Sequence, residues 1–136
     1  MLKDLAQKYY NQGFNCAESI IRAGNEYYGL GLDEKACKMT AAFGGGMQVG
    51  DVCGALTGSA CVVSSRYVAG SAHGSADLHP VMVKLVRAFQ DRFSSRLCRE
   101  IKPKFFNKDV HCQNTVTLAA EVLENVLSEY DSAKNK

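Results

Sequence analysis

The chain has 136 residues, carries a formal net charge of +2, and is 46% hydrophobic and 22% charged. This length suits a single domain over residues 1–136, and the composition excludes a disordered or low-complexity chain. The net charge gives no support to nucleic-acid binding, no uncharged stretch reaches the roughly 18 residues of a spanning helix, and no signal-peptide pattern is present, so we expect a cytoplasmic protein that binds neither membrane nor nucleic acid.

Apolar residues recur three and four positions apart along most of the chain, which predicts helices. The predicted helices cover residues 2–10, 16–28, 33–43, 52–69, 77–101 with a restart at Ser94-Ser95, and 109–130. Lys102-Pro103-Lys104 is expected to break the fifth of them. Alternation typical of strands is nearly absent. We therefore predict an all-α bundle of about five or six helices joined by short loops.

The unusual feature of the composition is its six cysteines, which are Cys16, Cys37, Cys53, Cys61, Cys98 and Cys112. In a reducing compartment so many cysteines indicate metal or redox chemistry more often than disulfides. No C-x-x-C spacing occurs, so a thioredoxin-type pair, a zinc ribbon and a bacterial ferredoxin run have no support. Any shared site must be assembled by the fold from distant segments.

Four of the cysteines lie in the predicted first turn of a helix. Each follows a residue suited to capping, and the pairs are Asn15 with Cys16, Asp51 with Cys53, Ser95 with Cys98, and Asp109 with Cys112. Free N–H groups and the positive end of the helix dipole favour a thiolate there and lower its pKa. If these helix starts converge, the chain builds a four-thiolate site.

The other two cysteines are interpreted as packing residues. Cys37 lies a full turn inside its helix and Cys61 lies among Ala and Val, so both resemble small buried hydrophobic residues. His111 precedes Cys112 by one position, and on a helix the two would face different ways. A Cys–His nucleophilic pair is therefore not predicted, and His111 is an alternative ligand only if one cysteine is not used.

Six of the twelve glycines lie between residues 44 and 58. The run Gly44-Gly45-Gly46 lacks the strand and the Lys-Ser/Thr pair of phosphate-binding loops. Gly54 and Gly58 are four positions apart on one helical face, which lets another backbone approach closely. We favour packing beside Cys53 over phosphate binding. The residues expected to surround the sulfur atoms are Asn15, Gly54, Gly58 and His111.

Residues 84–108 contain eight basic and two acidic residues, centred on Cys98. Nearby cations favour thiolates, would offset the negative charge of an iron–sulfur cluster, and could dock an acidic redox partner. The alternative is that these basic residues only form a solvent-exposed helix face. Nucleic acid is a weaker interpretation because no aromatic platform is interleaved with the basic residues.

At this point the motifs resemble a known family. The sequences GFNCAE at residues 13–18, FGGGM at 43–47 and CGALTG at 53–58, followed by Cys98 and Cys112, resemble the C_GCAxxG_C_C family of redox-active proteins. That family is marked by an early cysteine, a Cys-Gly-Ala-x-x-Gly motif and two later cysteines. The resemblance covers roughly residues 10–127.

The resemblance implies a small, mostly helical protein whose signature cysteines are the four already selected by cap position, Cys16, Cys53, Cys98 and Cys112. The family is similar to the iron–sulfur domain of split-Soret cytochromes, which makes a 2Fe–2S cluster the leading cofactor. The haem-binding part of those cytochromes has no counterpart in this chain.

The leading hypothesis is therefore a redox protein that binds an iron–sulfur cluster through four cysteines and transfers electrons. The alternatives are a cluster-free thiol–disulfide protein, a structural zinc site, and a helical interaction module with incidental cysteines. The sequence names no reaction, so an oxidoreductase and an electron-transfer component both fit. A homo-oligomer also stays open.

Overall fold

The computed structural model describes residues 1–135 and contains seven α-helices. They are α1 (Leu2–Asn11), α2 (Cys16–Tyr28), α3 (Glu34–Lys38), α4 (Gly54–Tyr67), α5 (Leu78–Phe93), α6 (Cys98–Phe105) and α7 (Gln113–Lys134). A 3-10 turn (Ala41–Phe43) and an irregular turn (Gly46–Gly50) precede α4. In these 135 residues no strand forms, and β-type pairing is limited to two isolated bridges.

The prediction of an all-α fold is confirmed, with slightly more helices than expected. The extra helix arises because Ser94 adopts a left-handed conformation (φ 59°) and ends α5, so α6 starts as a separate element. The predicted helix 33–43 also divides, into α3 and the 3-10 turn Ala41–Phe43. None of the helices in the described part of the chain is long and apolar enough to cross a membrane.

One hydrophobic core joins the long helices. Helix α2 packs against α1 and α4, and α7 packs against α1 and α5. The apolar stripe predicted for the last helix comprises Val116, Ala119, Ala120, Leu123, Val126, Leu127 and Tyr130, and all of these are buried except Tyr130, which is partly buried. The helix starts that carry the four cysteines are held in place by this core.

The start of α2 follows the sequence prediction closely. The Asn15 side chain accepts the Glu18 N–H (3.0 Å), and the Glu18 carboxylate accepts the Asn15 N–H (3.1 Å), which completes the predicted capping box. Cys16 is therefore the first helical residue. At the other end, Gly29 adopts the left-handed conformation (φ 62°) that commonly ends a helix.

The caps predicted at Asp51 and Ser95 are wrong. The Asp51 carbonyl accepts the Cys98 N–H (2.7 Å), and the Ser95 hydroxyl accepts the Leu97 N–H (3.0 Å). The Asp51 carbonyl therefore serves the connection between two distant segments. The Ser95 hydroxyl makes only local bonds, because it accepts from Leu97 and donates to Glu100, and the N-cap of α6 is Leu97. As a result α6 begins at Cys98 itself.

The cap predicted at Asp109 is also wrong. Asp109 lies in a turn, where its N–H donates to the Asn107 side chain (2.7 Å). Helix α7 therefore begins later, at Gln113. Cys112 is the N-cap of α7, and Cys53 is the N-cap of α4. All four selected cysteines thus stand at the N-cap or the first residue of a helix.

The break predicted at Lys102-Pro103-Lys104 is wrong as well, because Pro103 lies inside α6. A proline removes one N–H donor from a helix. The loss is tolerated here because Pro103 is exposed and lies only two residues before the helix ends. The last turn still closes through the Phe106 N–H and the Lys102 carbonyl (2.8 Å).

Close packing of Gly54 and Gly58 is confirmed. A Cβ atom on Gly58 would lie 2.8 Å from the Ala17 carbonyl oxygen and 2.9 Å from the Ala17 Cα. A Cβ atom on Gly54 would lie 3.0 Å from the Phe43 carbonyl oxygen and 3.4 Å from the Ala17 nitrogen. Both glycines therefore let α4 lie directly against the backbone of α2.

We expect Gly58→Ala to lower the free energy of unfolding. Overpacking typically costs about 1–3 kcal/mol, which exceeds the roughly 1 kcal/mol that alanine gains over glycine in a helix. Gly70→Ala is the matched control, because no atom lies within 4 Å of the added Cβ. Denaturant unfolding measures both; equal midpoints for the two variants would contradict the close approach.

Candidate functional site

Four cysteines from four helix starts line one cavity of about 560 Å³. They are Cys16, Cys53, Cys98 and Cys112, and all four are free thiols. These are the residues that the sequence selected. Cys37 is buried in the core and Cys61 packs against it, and neither lines this cavity, in agreement with their interpretation as packing residues.

Cys53 and Cys98 are brought together by an antiparallel bridge between Val52 and Leu97. The Cys53 N–H donates to the Arg96 carbonyl (2.7 Å), and the Cys98 N–H donates to the Asp51 carbonyl (2.7 Å). Gly46 makes room for this pairing, because a Cβ atom there would lie 2.7 Å from the Cys98 Cβ. The cysteines are 45 positions apart in the chain, and each directly follows one of the two bridged residues.

Cys112 is tied to the other side of the cavity by Tyr10, in the last turn of α1. The Tyr10 hydroxyl accepts the Cys112 backbone N–H (2.9 Å), and the same hydroxyl lowers the pKa of the Cys112 thiol. Cys16 lies shortly after Tyr10 in the chain, and its thiol and that of Cys112 shift the pKa of each other. The hydroxyl therefore fixes the backbone of one member of an interacting pair of thiols.

The glycine run shapes the wall beside Cys16. A Cβ atom on Gly44 would overlap the side-chain amide of Asn15. That amide donates to the Ala41 carbonyl (2.8 Å), which fastens the segment before α4 to the start of α2. Asn15, Gly45 and Gly54 all line the cavity, whereas Gly58 contacts α2 below it. The run therefore serves packing, as predicted.

The thiols of the cavity do not share one electrostatic environment. Burial raises the pKa of Cys53 to about 11, although its sulfur accepts the N–H groups of Ala55 and Leu56, which lower it. Burial likewise raises the pKa of Cys98. The expectation that a helix start lowers the pKa of all four thiols is wrong, because desolvation of the thiolate outweighs the N–H donors.

Cys112 is the exception among the four thiols. Its pKa is lowered first by the hydrogen bond from the Cys16 thiol, and then by the Lys102 ammonium and the Tyr10 hydroxyl. The pKa of Cys16 is raised correspondingly, because its proton is shared with the Cys112 sulfur and the site is buried. The pair therefore gives up its first proton easily and its second with difficulty.

His111 also borders the cavity, next to Cys112. The expectation that these neighbours face different ways assumed a helix, but His111 lies before α7 in a left-handed conformation (φ 54°). Both residues therefore line the same space. The His111 ring lies 5.5 Å from the Phe106 ring, which borders the cavity mouth.

The residues fit an iron–sulfur group better than a single ion. Within residues 1–135, no three His, Cys, Asp or Glu side chains are gathered closely enough to hold one metal ion. The cavity nevertheless offers four thiols, N–H donors to the Cys53 sulfur, and the Lys102 cation. Thiolates with hydrogen-bond donors and a nearby cation are the surroundings in which such clusters are held.

Sequence comparison identifies the family. Residues 14–126 match the family described as "Putative redox-active protein (C_GCAxxG_C_C)". The chain belongs to this family. The match spans all four cysteines of the cavity, and it begins after α1, so Tyr10 lies outside it. Neither the curated proteins nor the solved structures give a match to the chain.

Among the cavity-lining residues that were not predicted as site residues, two lower the pKa of the Cys112 thiol, namely Tyr10 and Lys102. Tyr10 belongs to the apolar face of a short amphipathic helix, and nothing local connects it to a cysteine 102 positions away. Lys102 was included in the basic stretch but not singled out. Lys102 follows Cys98 by four residues on the same helical face, and this spacing is the signal that places it near the cysteine.

We expect Cys112 to be the first cysteine alkylated in cofactor-free protein as the pH is raised. Its lowered pKa populates the thiolate at a pH below that of an ordinary cysteine, about 8.5. Tyr10→Phe removes a donor to the sulfur and should shift the labelling curve to higher pH. Iodoacetamide labelling followed by peptide mass spectrometry measures the curve.

The control for that experiment is Tyr9→Phe, because the Tyr9 hydroxyl bonds Glu26 (2.8 Å) and not the cavity. Its labelling curve should coincide with that of the unaltered chain. Preferential labelling of Cys53, whose pKa is raised, would be inconsistent with the assigned environments.

Proposed function

We propose that this protein binds an iron–sulfur cluster through Cys16, Cys53, Cys98 and Cys112 and transfers electrons with it. The observation that carries the proposal is the lining of one cavity by four free cysteines from four separate helix starts. A structural role alone does not call for this arrangement, since Cys53 belongs to the core and Cys16 packs against it, whereas Cys98 and Cys112 are not part of it. The family's redox character supports the same conclusion.

The surrounding residues have defined tasks in this proposal. When bound, the cluster supplies a centre that gains and loses one electron. The Ala55 and Leu56 N–H groups donate to the Cys53 sulfur, and the Tyr10 hydroxyl donates to the Cys112 sulfur. Such donors stabilise the more negative state and raise the reduction potential. Lys102 offsets part of the negative charge of the thiolates.

The spacing of the cysteines favours a cluster over structural zinc. A zinc ion holds four thiolates at about 2.3 Å, so its ligands must be almost in mutual contact. Residues 1–135 contain no such grouping of three ligand side chains. A cluster distributes its cysteines over separate iron atoms and so accepts ligands that are further apart. The resemblance noted above makes 2Fe–2S the leading cluster type.

We expect Cys53→Ser and Cys112→Ser each to abolish cluster loading. Each removes a thiolate ligand from the cavity. Iron and acid-labile sulfide are measured after anaerobic purification or reconstitution, together with the visible absorption spectrum. The matched controls are Cys37→Ala and Cys61→Ala, which should load normally and lose only stability, about 1 kcal/mol or more.

Two results would overturn the assignment. One is loss of iron and sulfide in Cys37→Ala with normal loading in Cys112→Ser. The other is an anaerobic preparation of the unaltered chain that is colourless and holds one zinc per chain.

A second function is favoured by one specific observation, that Cys16 and Cys112 line the same cavity and that each thiol shifts the pKa of the other. A thiolate beside a second thiol is poised for disulfide exchange. With oxidised glutathione as oxidant, the Cys112 thiolate attacks one glutathione sulfur and releases the first glutathione. Cys16 then attacks the Cys112 sulfur and releases the second. Two thiols are oxidised, and one glutathione disulfide is reduced to two thiols.

Exchange chemistry predicts that cofactor-free protein in a glutathione buffer loses two hydrogens, in a peptide that joins Cys16 to Cys112. The reaction should survive Cys98→Ser and disappear in Cys16→Ser, because only this pair takes part. Non-reducing mass spectrometry measures the product. A chain that stays fully reduced while it loads iron and sulfide would leave the cluster as the function.

A further inference from the structure

Exposed apolar side chains are concentrated in two loops that each supply a residue to the lining of the cysteine cavity. In residues 1–135 seven large hydrophobic residues are exposed, and four of them lie in these two loops. They are Met47, Val49, Phe106 and Val110. Val49 is 76% exposed and Met47 is 50% exposed, although both belong to a turn that contacts the cysteine-bearing segments.

We call residues 45–50 and 99–111, which include both loops, the rim. Gly45, Lys102 and His111 line the cavity itself. The Arg99 guanidinium reaches the Gly50 carbonyl (3.5 Å), which joins the first loop to α6. Both segments of the rim therefore contribute to the cavity wall and contact each other.

The second loop is joined to α6 in the same way. The Lys102 ammonium lies 5.1 Å from the centre of the Phe106 ring, and that ring lies 5.5 Å from the ring of His111. The backbones of Asn107 and His111 are paired by an antiparallel bridge. Cationic and aromatic groups thus alternate along this side of the opening.

The backbone of the first loop is strained, and the strain keeps its apolar side chains in solvent. Met47 and Gln48 both have left-handed conformations, with φ of 58° and 68°, which side chains other than glycine rarely adopt. The Gln48 side-chain amide donates to the Gly44 carbonyl (2.8 Å) and holds the turn closed. Strained backbone of this kind persists where surrounding contacts enforce it, and it is concentrated at functional sites.

The rim carries more positive than negative charge. Its cations are Arg99, Lys102, Lys104 and Lys108, and its acidic residues are Glu100 and Asp109. Glu100 is engaged by the Ser95 hydroxyl. Apolar side chains surrounded by cations match a partner whose own apolar patch is surrounded by carboxylates. A second copy of this chain would instead place like charges against each other.

We propose that the rim docks an acidic redox protein, which exchanges electrons with the centre in the cavity. The inference rests on the proposed function, and it adds the place and the chemistry of the partner. Because redox encounters use small interfaces, below about 1,200 Å², a few exposed side chains suffice. The cations steer the encounter and the apolar side chains set its lifetime.

The test is titration calorimetry of the full chain with an acidic flavodoxin as the probe, at low salt and at 0.5 M salt. The basic protein cytochrome c is the probe of opposite charge. We expect the flavodoxin to bind at low salt, to weaken strongly at high salt, and cytochrome c not to bind. Binding of both probes alike, or of neither, would refute the proposal.

Charge and apolar contacts are then separated by two sets of variants. The triple variant Arg99→Glu, Lys104→Glu and Lys108→Glu should weaken flavodoxin binding at least tenfold and remove most of the salt dependence. The matched control makes the same change of charge away from the rim, with Lys35→Glu, Lys38→Glu and Lys84→Glu.

The apolar set is the double variant Met47→Ser and Val49→Ser, whose matched control is the exposed Met39→Ser. The rim variant should weaken binding severalfold with unchanged salt dependence, and Met39→Ser should bind normally. Circular dichroism verifies the fold of every variant. Equal effects of rim and control variants would overturn the proposal.

Two further measurements separate docking from the proposed function. Iron and sulfide are determined on the same samples. If flavodoxin binds to protein that holds no cluster, the rim is supported as the docking surface and the cluster assignment is wrong. Sedimentation equilibrium detects self-association. A dimer that the Val49→Ser change abolishes, with no flavodoxin binding, would assign the rim to a second copy of this chain.

Discussion

The close approach of α2 and α4 is the constraint on which the site depends. Gly58 lies against the Ala17 backbone, and no side chain fits between them. Ala17 directly follows Cys16, and Gly54 directly follows Cys53. The contact that closes the two helices therefore also sets the separation of two of the four sulfurs. The packing of these two helices therefore determines part of the geometry of the site.

The remaining two cysteines are positioned by polar contacts rather than by packing of small residues. The bridge of residues 51–53 with 96–98 holds Cys98 beside Cys53, and the Tyr10 hydroxyl holds Cys112 beside Cys16. The contacts that build the cavity thus join residues that are separated by very different distances along the chain.

The fold class and the identity of the four cysteines were predictable because both follow from local patterns. Helical periodicity requires only neighbours along the chain, and the capping box at Asn15 spans four residues. The start of α4 could not be placed from Asp51, because the Asp51 carbonyl is used in a tertiary hydrogen bond with Cys98, and the Ser95 hydroxyl bonds the Leu97 N–H before α6 begins. A residue suited to capping identifies a helix start only when no distant group competes for it.

The chemistry of the thiols was predictable only in part for the same reason. The helix start is a local property and correctly locates N–H donors at the Cys53 sulfur. Burial and the neighbours of a thiol are properties of the assembled bundle. They raise the pKa of Cys53 and lower that of Cys112, although both residues are N-caps.

The position of Tyr10 has a consequence for relatives of this chain. The segment that defines membership starts at residue 14, whereas α1 ends at Asn11 and still supplies the hydroxyl that touches the Cys112 sulfur. Two members with the same cysteine signature can therefore differ in the pKa of that thiol, or in the reduction potential of a cluster that it binds. In this chain the leading helix therefore adjusts a motif of which it is not a part.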